Sequence, residues 1–194
     1  MPTLYEDLPE VFVSNTEITD LVSKYTRAGK LRKLGTRLYT KNMTASPEEI
    51  VKRNWYFLLK DYYPDALIAD RTAMENQPAA DGSVFIISSK KRDTELPGIT
   101  FKPRPGPAPL DEDRQFLGGV RLSSTARAYL ENMRISRARG DSIPRTLSRQ
   151  DIEEKLDRLL RQGGESAINK IRDDARQIAP HLDLEKEFKK LDEL

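Results

Sequence analysis

The sequence predicts an α+β fold, on three observations. Ile18, Leu21, Val22 and Tyr25 recur at spacings of three and four, the period of a helix with one apolar face. Val84-Phe85-Ile86-Ile87 is an apolar, β-branched run of the kind that fills a central strand. Ser46-Pro47-Glu48-Glu49, and Ser148 with Asp151 three residues later, are helix starts in which a serine can accept from a free first-turn N–H and an acid can reach back. Their order divides the chain into a helix-and-hairpin segment over 1–45, a small mixed α/β domain over 46–135, a linker over 136–147 and a helical tail over 148–194.

Within residues 1–13, Leu4, Tyr5, Leu8, Val11 and Phe12 form a short helix or an arm that packs on the next helix, with Pro9 as a break. Ser14 or Asn15 is placed to cap that helix and Gly29 to end it. The period then changes: Leu31, and Leu38-Tyr39 beyond a Gly35-Thr36 turn, read as two short strands. Lys24, Arg27, Lys30, Arg32, Lys33, Arg37 and Lys41 give this stretch seven cations, with no acid between Lys24 and Lys41.

Helix, glycine and basic hairpin is the order that ends a winged helix-turn-helix, whose helix enters the major groove while the hairpin lies on phosphates. On that reading Asn15, Thr16, Thr19 and Lys24 reach base edges or phosphates, and Lys30, Arg32, Lys33 and Arg37 neutralise backbone charge. Few residues precede Ser14, so the winged segment is a reduced one. The alternative is a small hairpin with a solvated cationic face.

The run AGKLRKLGTRLYTKN resembles the reader segment of AbiEi-type antitoxins, and PDALIADRTAMENQPAADGSVFIISS resembles the start of their second domain. With the tail GGESAINKIRDDARQIAPHL, the chain looks most like the N-terminal region of some bacterial Fic-family proteins. The resemblance implies an antitoxin or autorepressor role, or the regulatory part of a Fic protein. The implied partners are double-stranded DNA and a toxin or Fic catalytic domain.

In the α/β domain, Ile50, Val51, Asn54, Phe57 and Leu58 continue the Ser46-capped helix to about Asp61, and Trp55 and Tyr56 read as packing residues. Ala66–Ala69 is a short strand, and 71–76 a short helix. Asp81-Gly82 is a turn before the central strand, and Ile99 and Phe101 belong to its partner. Pro103, Pro105, Pro107 and Pro109 predict an extended loop, since proline has no ladder N–H. Phe116 to Leu122 reads as one strand weakened at Gly118-Gly119, and Ser123 or Ser124 caps a helix through Ala126, Tyr129, Leu130 and Met133.

Arg134 to Arg149 is arginine-rich and broken by Gly140 and Pro144, as a linker or a phosphate-touching loop would be. The tail then carries three amphipathic helices, broken at Gly163-Gly164 and Pro180, whose apolar stripes need burial. They need the α/β domain, another copy of the chain or a following domain, and the polar, broken 134–149 stretch favours self-association through the tail or docking on an absent domain. The helical period still runs at Leu194, as in a piece of a longer protein.

Composition narrows the chemistry. There is no cysteine and one histidine, which leaves no thiolate metal site, Cys–His pair or multi-histidine zinc site. His181-Leu-Asp-Leu-Glu lacks the glycine and asparagine of a Fic phosphate loop. Gly82-Ser83 with Asp93-Thr94-Glu95 imitates a nucleotidyltransferase, but the strand-like 84–88 and Pro97-Gly98 put the carboxylates in a turn. No apolar run approaches the ~18 residues of a membrane span, and the first ten residues are acidic where a signal peptide is basic. The expectation is a cytoplasmic, non-enzymatic regulatory module with no cofactor and no metal. The alternative is a protein-interaction module that does not bind DNA.

Overall fold

The computed structural model describes residues 4–136 and 142–194. The fold is α+β, with two sheets and six helices among these residues. β1 (Val11–Val13), β2 (Arg32–Gly35) and β3 (Leu38–Thr40) form an antiparallel sheet in the order β1-β3-β2. Helix α1 (Thr19–Arg27) lies in the chain between β1 and β2. It starts later than Ser14 or Asn15 would cap it. Asn15 Oδ1 accepts from the N–H groups of Glu17 (3.0 Å) and Ile18 (3.2 Å), and this local turn occupies the backbone that would have been the first helical turn.

The alternation of the strands sorts the sheet into two faces. Phe12, Tyr39 and Leu31 look toward α1, where they meet Leu8, Ile18, Leu21, Val22 and Tyr25. Val11 and Leu38 look the other way, into the main core with Ile50, Val51, Trp55, Leu58 and Leu59 of α2 (Pro47–Tyr62). That core continues into Val84, Ile86, Ile99, Phe101 and Leu122 of the second sheet. The segment 1–45 therefore shares its core with the α/β domain through α2. The expected boundary at 45 is a change of composition rather than a break in packing.

The second sheet contains β4 (Leu67–Ile68), β5 (Ser83–Ile87), β6 (Thr94–Leu96), β7 (Ile99–Arg104), β8 (Arg114–Gln115) and β9 (Arg121–Leu122), in the order β6-β7-β5-β4-β9-β8. β5 is buried throughout, as its composition predicts. Two expectations need correction. Pro103 is in strand β7, not in a loop. Thr100 N–H points to Gly82 of the β5 side, so by alternation the nitrogen of Pro103 points to the β6 side, beyond Thr94 where β6 begins pairing. Residues 116–122 are not one strand. Gly118 (φ 71°) and Gly119 (φ 73°) turn the chain, and β8 and β9 pair as a hairpin.

Helix α3 (Asp70–Glu75) ends at Asn76 in the left-handed region, and α4 (Thr125–Asn132) is capped by Ser124 Oγ, which accepts from Arg127 N–H. α4 carries the tail. Ala126, Tyr129 and Leu130 form a second core with Ile152, Ile171, Ala175 and Ile178 of α5 (Arg149–Ile178) and Leu191 of α6 (Glu185–Asp192). Of the covers the tail stripes could take, the fold shows the α/β domain, through α4; the polar 134–149 stretch, which favours self-association on sequence alone, does not keep the tail off the domain. The Ser46–Glu49 and Ser148–Asp151 capping boxes both form. Gly164 (φ 65°, ψ −171°) breaks α5 where the paired glycines predict. Part of the expected linker, 137–141, lies outside the described residues. The part after it is not a free linker: Thr146 and Leu147 are buried, and Leu147 N–H donates to Asn132 Oδ1 at 2.9 Å.

Candidate nucleic-acid interface

The eight expected contact residues do not share one surface, and strand alternation is the reason. Lys33 pairs with Tyr39 and lies in the row of Phe12, on the α1 side. Arg32, one residue earlier, faces α2. It is half-buried, its Nη2 donates to the Ala45 carbonyl at 2.6 Å, and its buried Nε has no partner. Arg37 sits at the hairpin turn with φ 61°, and its Nε donates to the Ser14 carbonyl at 2.7 Å. Asn15 is committed to its turn, and Thr19 Oγ1 donates to the Asn15 carbonyl at 2.7 Å. Arg32, Arg37, Asn15 and Thr19 thus hold the fold together.

The lysines do converge. Tyr5, from the N-terminal arm, stacks on Tyr25 of α1 with ring centroids 4.4 Å apart. Lys24 lies 5.5 Å from the Tyr25 centroid, Lys30 lies 5.7 Å from Tyr25 and 6.0 Å from Tyr5, and Lys41 lies 5.4 Å from Tyr5. A cation near an aromatic face is held without losing its charge or its access to water. Lys24, Lys30 and Lys33 are exposed and Lys41 is half-exposed. Helical geometry turns Ser23 and Arg27 outward, opposite the Val22–Tyr25 side of α1, and Thr16 is exposed in the turn before the helix. Sequence reasoning missed the tyrosine pair. The signal is Tyr5 itself, an aromatic in the arm of residues 4–12 whose apolar neighbours Leu4 and Leu8 suggest packing alone. Among the described residues, none of the seven cations from Lys24 to Lys41 is ion-paired with a carboxylate.

A second charged cluster is structural in its geometry. Arg127, fully buried, pairs with Asp113 at 2.7 Å and Glu131 at 3.0 Å, and donates to the Ala108 and Pro107 carbonyls. Arg104 binds both oxygens of Asp70 and reaches Glu131 at 3.4 Å, while Arg145 reaches Asp70 at 3.3 Å and covers the Phe85 ring. Three carboxylates meet three guanidiniums. Burial, with Asp70 nearby, pushes the Glu131 carboxyl above its ordinary value despite Arg127 and Arg104. The cluster fastens the 105–113 loop and the Arg145 segment to the end of the sheet.

The nucleotidyltransferase lookalike is dispersed by the fold. Gly82-Ser83 opens β5 rather than a helix, Glu95 is exposed on the edge strand β6, and Asp93 is exposed just before it. His181 is exposed in a 3-10 turn over Ala179–Leu182. No helix among the described residues is long and apolar enough to cross a membrane. No family model, curated protein or solved structure matches the chain.

Proposed function

We propose that the chain binds double-stranded DNA through the outer face of α1 and the lysines around the Tyr5–Tyr25 stack, as a non-enzymatic, cytoplasmic regulatory module of the antitoxin or autorepressor kind. The observation that carries this reading is the unpaired charge. Some exposed cations elsewhere find carboxylates, as Arg53 does with Glu10 and Lys170 with Asp174, and others such as Lys91, Arg92 and Lys189 do not among the described residues. The stretch from Lys24 to Lys41 differs in gathering seven cations without one acid in the run, so phosphates can bind there at no cost in broken ion pairs. Sheet order supports the same reading: a helix between β1 and β2, with the sheet in the order β1-β3-β2, places a hairpin beside the helix that would enter a groove. The resemblance to AbiEi-type proteins supplies the regulatory role, with a toxin or a Fic catalytic domain as the partner.

Fluorescence anisotropy with a labelled duplex at low salt tests the proposal. Lys24→Ala, Lys30→Ala and Lys33→Ala together should weaken binding by about tenfold or more, whereas Arg32→Ala should leave affinity near that of the unsubstituted chain. Absence of binding by the unsubstituted chain would overturn the proposal and favour a protein-interaction module, for which exposed Phe57 and Leu117 offer apolar surface.

A further inference from the structure

The seam between the tail and the α/β domain holds a cavity of about 350 Å³, lined by residues of α3, α4, β8 and the first half of α5. Its lining is about as polar as it is apolar, with Met74, Tyr129 and Leu159 beside Arg114, Lys155 and Arg158; no Asp or Glu lines it. The size is at the lower end of the range for small-molecule sites, and the mixed lining suits a ligand with one charged and one apolar part.

Arg149, Lys170, Arg172 and Arg176 of α5 each pair with a carboxylate, whereas Arg161, Lys186, Lys189 and Lys190 are exposed without one among the described residues. What sets the cations of this wall apart is that they line a hollow. Arg158 and Arg114 pair with none among the described residues, although acids flank both in sequence. Lys155 Nζ donates to the Met74 carbonyl at 3.4 Å, which holds the ammonium at the cavity without neutralising it. Three cations from two elements thus line one hollow together with Met74, Tyr129 and Leu159. A lone inorganic anion would leave the apolar side chains uncovered, and an uncharged apolar molecule would leave the cations unmatched.

We propose that this cavity binds a small phosphate monoester, with the phosphate on Arg114, Lys155 and Arg158 and the organic group on Tyr129 and Leu159. The site shares no element with α1 or its lysines, so it stands or falls independently of DNA binding. Because α5 supplies two of the cations and α3, α4 and β8 supply the other walls, the bound molecule would clamp the tail to the domain.

Isothermal titration and thermal shift of the full chain with phenyl phosphate test this, using inorganic phosphate and phenol as the two halves of the ligand. Phenyl phosphate should bind more tightly than either half and raise the melting temperature. Lys155→Gln with Arg158→Gln should weaken it about tenfold or more, since charge-assisted hydrogen bonds to phosphate are lost. Arg114→Gln, on another element, should weaken it independently if the double variant proves unstable. Lys24→Ala with Lys30→Ala should leave it unchanged. No binding of phenyl phosphate, equal binding of inorganic phosphate, or undiminished binding in both cavity variants would overturn the proposal.

Discussion

Arg127 shows how much a single side chain can hold. Its guanidinium lies with Asp113 and Glu131 out of contact with water, and neither acid can be left alone there cheaply. Arg127→Met should cost about 3–5 kcal/mol in urea denaturation, because it strands buried carboxylates rather than removing a surface pair. A loss below about 1 kcal/mol would contradict the role assigned to it. Asp65 gives a pH-dependent counterpart. Burial works to raise its carboxyl, but the Ser88 hydroxyl and Ser89 N–H outweigh it and hold the pKa at about 2, against an ordinary 3.8. A depressed carboxylate contributes stability above its unfolded value and loses it as pH falls through the folded one. Asp65→Asn should therefore lower stability between pH 5 and 7, where the carboxylate contributes, and flatten the acid limb between pH 3.8 and about 2. An acid limb of the same slope in the variant would count against it. At this scale the sequence was half legible. The cations could be counted, but which face each took depended on strand parity, and a shift of one residue separates Lys33 from Arg32.

Helix caps were the elements easiest to foresee, since Ser46–Glu49 and Ser148–Asp151 each require only residues three apart. Strand β7 and the β8–β9 hairpin were harder. Whether Pro103 is tolerated depends on where β6 ends, a fact about the neighbouring strand, and a pair of glycines can weaken a strand or reverse it. Gly164 tests the tail at this level. Its φ of 65° and ψ of −171° fall in a region open essentially to glycine, although a methyl group there would meet nothing within 4 Å. Gly164→Ala should thus destabilise by roughly 1–3 kcal/mol through backbone strain alone. A melting temperature equal to that of the unsubstituted chain would show that the two halves of α5 can join as a straight helix. Removing 148–194 should lower the melting temperature or abolish soluble expression, because Ala126, Tyr129 and Leu130 of α4 lose the apolar groups that cover them. Each large side chain buried there contributes roughly 1.5–3 kcal/mol. A truncated chain as stable as the full one would contradict the shared second core.

The whole molecule is organised around α2 and α4. One joins the two sheets and the other joins the sheet to the tail. The α+β class followed from local periods, and so did most elements. The partnership between 1–45 and α2, and the landing of the tail on α4, did not, because both rest on long-range packing that leaves no local period in the sequence. The same arrangement leaves the Lys24–Lys41 charge on an outer surface, with the Tyr5–Tyr25 stack beneath it. If Lys24, Arg27, Lys30, Lys33 and Lys41 each neutralise one phosphate, the plot of log K against log salt should have a slope of about −4 to −5. The combined Lys24→Ala, Lys30→Ala, Lys33→Ala chain should then show a slope of about −2. That salt titration on duplex DNA tests the central claim most directly. The predicted result is a steep slope that falls by the number of lysines removed; a slope shallower than about −1, or one that the three substitutions leave unchanged, would contradict it.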